Sequence, residues 1–119
     1  MHLDLKQRTK QFALDTIRFF ESLPKEETSR VLGRQLLRAG TSVGANYRAA
    51  KRAKSNADFI HKMTIVEEEA DECGYWLELL EEAKKAPVTK TSPLIGESNE
   101  LVAITVASIN TARRNGKKA

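Results

Sequence analysis

Apolar side chains recur along this chain at the spacing of helix faces, and no stretch alternates with the period of a strand. From about Asp4 to Glu21, Leu5, Phe12, Ala13, Ile17, Phe19 and Phe20 follow a helical period, with Thr9 and Thr16 filling the same face. Leu23-Pro24 ends this first predicted helix, because proline disfavours a helical conformation in the residue before it. Lys25-Glu26-Glu27 then places acids where a helix N-terminus favours them, and a second helix is predicted over about 27–53. Its packing side, Leu32, Leu36, Ala39, Gly40, Val43, Tyr47 and Ala50, is dominated by small residues. Gly40 and Gly44 would each cost up to ~1 kcal/mol against alanine inside a helix. They therefore imply either the close approach of a neighbouring helix or a break into two shorter helices.

Ser55-Asn56-Ala57-Asp58 has the form of a capping box and opens a third predicted helix over about 55–84. Phe59, Met63, Val66, Ala70, Cys73, Leu77 and Leu80 form its seam in alternating four-three steps. Ile65, Trp76 and Leu79 lie beside the seam and widen the apolar surface beyond what one partner helix covers. Ala86 to Pro93 reads as a loop, with Ser92 as N-cap and Pro93 in the first turn of a fourth helix over about 93–114. That helix carries one stripe of Leu94, Leu101, Ile104 and Ser108 and another of Val102, Ile109 and Ala112, followed by a basic tail from Asn115. Four helices joined by short connections predict an all-α fold, an antiparallel up-down-up-down four-helix bundle occupying 1–119 as one domain.

Composition narrows the setting and the chemistry. A single cysteine in 119 residues cannot form an internal disulfide, so nothing calls for an oxidising compartment and a cytoplasmic location is expected. The longest apolar stretch, Leu101 to Ile109, is interrupted by Thr105 and Ser108 and falls short of the ~20 residues of a membrane span. The charged opening Met1-His2-Leu3-Asp4-Leu5-Lys6 lacks the apolar core of a secretory signal. Nucleophilic catalysis has little to work with: the only histidines are His2 and His61, and Cys73 belongs to the helix seam, where it reads as a small hydrophobe. Asp58-x-x-His61 matches half of a bundle metal motif, occurs once, and is better used in the cap. No enzyme activity, metal or cofactor is expected.

The basic residues are more informative. Arg30, Arg34 and Arg38 are spaced by four, Arg48 returns to the same side about five turns after Arg30, and Arg52 extends it. Lys51 and Lys54 lie near its end. With a net charge of +4 and a pI near 9.3, this strip has the form of an electrostatic footprint for a phosphate backbone. The competing reading is a structural or protein-scaffolding oligomer with no nucleic-acid role, whose strip is only a solubilising surface or pairs with the third helix, which carries Glu67, Glu68, Glu69, Asp71, Glu72, Glu78, Glu81 and Glu82. Aromatic residues are missing from the strip, so binding there would be directed at RNA or DNA backbone with poor sequence specificity.

The segments Arg34 to Ala50, Lys54 to Ile60 and Glu69 to Leu80 resemble the four-helix bundle family named for the 23S rRNA intervening-sequence protein. The likeness is carried by the pattern Gln35-Leu36, Arg38-Ala39, Ser42-Val43 and Ala45-Asn46. Ala49 and Ala50 stand where many members carry a glutamate. The resemblance implies a homo-oligomer, a ring-shaped homopentamer, with Ile65, Trp76, Leu79, Val102 and Ile109 as its expected interface. One relative in this family, the accessory variability determinant of diversity-generating retroelements, binds nucleic acid and a reverse transcriptase. By resemblance, both are implied as partners here.

Overall fold

The computed structural model describes residues 4–118, and their side chains as far as Gly116; His2 lies outside them. Helix α1 runs Leu5–Ser22, α2 Glu27–Lys51, α3 Asn56–Glu82 and α4 Val88–Lys118, with no strand among the described residues. Helix α1 packs on α2, α2 on α3 and α3 on α4, while α1 and α4 share a smaller interface. The ion pairs fix the directions. Glu26 at the start of α2 meets Lys85 just past α3, and Arg38 meets Glu69 and Glu72, so α2 and α3 run antiparallel. Asn56 hydrogen-bonds the Ala112 carbonyl while Thr91 bonds Glu81, which sets α4 antiparallel to α3.

The caps follow from local chemistry. Asp4 accepts the Gln7 N–H at 2.8 Å, and Ser55 accepts the Asp58 N–H at 3.0 Å. The Asp58 carboxylate reaches back one residue beyond the expected box, to the Lys54 N–H at 3.1 Å. After α3, Lys84 adopts φ 60° while the Lys85 N–H bonds Leu80 O at 2.8 Å and the Lys84 N–H bonds Glu81 O at 3.0 Å. This is a Schellman ending with lysine in the left-handed position that glycine usually fills.

Helix α2 is continuous, and its glycines serve close approach rather than a break. A Cβ on Gly40 would lie 2.7 Å from Thr16 Cγ2, and one on Gly33 would lie 2.8 Å from Leu23 Cδ1. The core gathers Phe12, Phe19, Leu36, Val43, Met63, Val66, Leu77, Leu80 and Leu101. Burial of each large aliphatic contributes about 1.5–3 kcal/mol before opposing terms. Thr16 and Thr105 are fully buried beside them because each hydroxyl donates to a carbonyl one turn back, of Phe12 and Leu101.

Two expectations for α4 are corrected. The helix runs Val88–Lys118 rather than 93–114; it starts early because Pro87 O accepts the Lys90 and Thr91 N–H groups and Thr91 is anchored to Glu81. Pro93 therefore lies inside the helix, on its exposed side. The buried line is Thr91, Leu94, Ser98, Leu101, Thr105, Ile109 and Ala112, so Ile109 faces the core at 3% exposure and is removed from the expected oligomer interface. Val102 and Trp76 are half-buried against the same core, and Ile65 and Leu79 keep part of their surface open.

Candidate nucleic-acid interface

All seven cations expected on the basic strip, Arg30, Arg34, Arg38, Arg48, Lys51, Arg52 and Lys54, are exposed. Within α2 the cause is geometric: the helix turns Leu36, Ala39, Gly40, Val43 and Ala50 inward, and residues on its other side face water, while Arg52 and Lys54 lie in the turn after it. Arg48 and Lys51 also fall in the last turn, where positive charge complements the helix dipole.

Their electrostatic surroundings separate them. Arg38 leans toward α3, where Nη1 lies 3.2 Å from Glu69 and Nη2 bonds Glu72. Partial burial works against its charge, but Glu72 and Glu69 outweigh it and hold the guanidinium above its ordinary pKa. Glu72 also accepts the Trp76 indole N–H at 2.8 Å. Arg38 is thus one member of an α2–α3 network, and the ion-pair reading applies to it. Among the described residues, Arg30, Arg34, Arg48, Lys51, Arg52 and Lys54 form no ion pair. Lys54 still lies beside the Asp58 carboxylate, which its own N–H bonds, whereas a cation without an acidic partner keeps its attraction for an anion, as the other five do.

The structure adds cations that one-helix reasoning missed. Lys6 and Lys10 of α1 line one groove with Arg48, Thr41, Gly44 and Ala45 of α2. The Asn56–Ala112 hydrogen bond of 2.7 Å brings the turn bearing Arg52 and Lys54 alongside the α4 segment that carries exposed Arg113 and Arg114. Lys6-x-x-x-Lys10 was visible as a one-turn repeat, but only the α1–α2 packing places it beside Arg48.

Elsewhere the side chains are committed to structure. Lys62, first, and the Lys54 N–H hold the Asp58 carboxyl below the usual aspartate range, while His61 is exposed. Burial, reinforced by Glu69 and Glu72, pushes the Cys73 thiol up to about 12, so it is protonated near neutrality. Among the described residues no three potential metal ligands come together, and no helix is long and apolar enough to cross a membrane.

These features define an all-helical bundle with a cationic flank. The chain belongs to the 23S rRNA-intervening sequence protein family, whose model matches residues 1–107. It is also similar to a protein of unknown function from the S23 ribosomal protein family of Bacteroides thetaiotaomicron. That crystal structure shares 36% identity, covers 87% of this chain and 96% of its own, and superposes with a TM-score of 0.82. No protein of curated function matches the chain. Neither the family description nor the structural relative names a reaction.

Proposed function

We propose that this protein is a non-enzymatic helical bundle that binds the phosphate backbone of RNA or DNA through the cationic side of α2. One observation carries the reading: Arg30, Arg34, Arg48, Lys51, Arg52 and Lys54 are exposed together and, among the described residues, none is neutralised by an ion pair. The strip holds no aromatic side chain, so binding discriminates little between sequences and falls steeply with salt. The test is the affinity for generic duplex and single-stranded nucleic acid across a salt series. Absence of binding at low salt overturns the proposal. A reverse transcriptase as protein partner rests on the resemblance of the α2–α3 motifs, and co-purification of the two chains tests it.

A second reading, assembly with further copies of this chain, is favoured by the outer side of α3. Tyr75 is 54% exposed there, its ring edge-on to Trp76 with centroids 5.0 Å apart, and Ile65 and Leu79 are only half-buried. Aromatic residues of this kind are enriched at interface centres. A ring such as the homopentamer is proposed on that surface, with Ile109 excluded. A monomeric mass by light scattering at micromolar concentration rejects it.

A further inference from the structure

We infer that the groove between α1 and α2, flanked by Lys6, Lys10 and Arg48, is a phosphodiester-binding channel that extends the binding surface from one helix to two; the inference rests on the nucleic-acid reading above. The groove has a volume of about 400 Å³, with Thr9 and Thr41 on its floor between the three cations, and no carboxylate lines it. Lys6 and Lys10 are exposed and, like Arg48, form no ion pair among the described residues. Three cations therefore converge from two helices with nothing between them to neutralise.

The floor specifies the class of ligand. Thr9 donates its hydroxyl to Lys6 O at 3.2 Å, and Thr41 donates its own to Leu37 O at 2.8 Å. Both hydroxyl protons are committed to the helices that carry them, so the floor supplies no directed donor to read a base or a sugar. No aromatic ring lines the groove, so a base has nothing to stack on. Gly44 and Ala45 keep the α2 wall low, which lets an anion approach along the axis. Lys6 and Lys10 are one turn apart, about 6 Å along α1. That is close to two steps of the ~3.4 Å spacing of charge along one nucleic-acid strand. A channel with charge on both walls and no polar specificity suits a repeating polyanion rather than a single nucleotide.

The experiment measures the full chain binding to a short duplex DNA of arbitrary sequence over a salt series, for wild type, Lys6→Gln/Lys10→Gln, and Lys84→Gln/Lys90→Gln. The last pair removes the same charge from exposed positions at the other end of the bundle. Removing one cation that neutralises a phosphate lowers the slope of log affinity against log salt by about 0.9 for duplex DNA. The groove variant is expected to show about twice that reduction, while the distal pair keeps the wild-type slope. Equal slopes for wild type and groove variant overturn the channel and leave the α2 strip standing. Equal reductions in both variants overturn it too, by assigning the effect to net charge. A wild-type protein that binds no duplex at low salt overturns the channel together with the function it extends.

Discussion

Thr16 on α1 sits directly over Gly40 on α2: a Cβ added at Gly40 would meet Thr16 Cγ2 at 2.7 Å, Oγ1 at 2.8 Å and Cβ at 3.0 Å. The clash involves the root of a fully buried side chain whose hydroxyl is held by Phe12 O, so it cannot swing aside. Gly40→Ala should lower stability by about 1–2 kcal/mol, overpacking of about 1–3 kcal/mol outweighing a helix-propensity gain of at most ~1. Gly96 on α4 is the contrast, since nothing lies within 4 Å of a Cβ there. Gly96→Ala should raise stability by about 0.5–1 kcal/mol. Urea unfolding of both variants checks the pair, and a neutral or stabilising Gly40→Ala would mean that α1 and α2 are less closely packed.

Arg38 and Arg48 should part company in binding experiments. Arg38 already answers Glu69 and Glu72, so Arg38→Ala should cost roughly 0.5–1 kcal/mol of stability and leave the salt slope of nucleic-acid binding almost unchanged. Arg48→Ala should leave stability nearly untouched and reduce that slope by about 1. The reversed outcome would make Arg38 the residue that meets phosphate.

Lys84 occupies the left-handed turn after α3 at φ 60°. A side chain there costs about 1–2 kcal/mol, part of which glycine gives back as unfolded-state entropy. Lys84→Gly should therefore stabilise the protein by about 0.5–1 kcal/mol, read as a shift in the urea midpoint at unchanged m-value.

Cys73, buried and with its thiol pKa pushed up to about 12, should resist alkylation at neutral pH in the native state. Labelling should proceed only through opening of the bundle, and accelerate with added urea in step with unfolding. Rapid stoichiometric labelling without denaturant would show that α3 opens locally.

Acid should weaken two turns first. Asp58 beside Lys62, and Glu26 beside Lys85, have carboxyl pKa values lowered by those partners. Each contribution is fully present above the ordinary carboxylate pKa and is lost as pH falls through the lowered one. Asp58→Asn should flatten the acid side of the stability profile, measured by thermal melts across that range.

The sequence by itself determined the helices and most of their inner faces, because periodicity and capping act within a few residues. Met63, Val66, Ala70, Cys73, Leu77 and Leu80 are all buried as their four-three spacing predicts, Phe59 at the start of the seam is half-buried, and Ser55 caps α3 as its box predicts. Only the tertiary structure decided what depends on a neighbour from another part of the chain. Glu69 and Glu72 separate Arg38 from the other arginines of the strip, and the approach of α1 sets Lys6 and Lys10 beside Arg48. Thr91 bonds Glu81 across the turn where α4 starts at Val88, and the packing of α4 on α3 places Ile109 in the core. Serine and threonine concealed that last line in the sequence: they count as polar in a pattern, yet they bury at no loss once their hydroxyls bond the turn behind them.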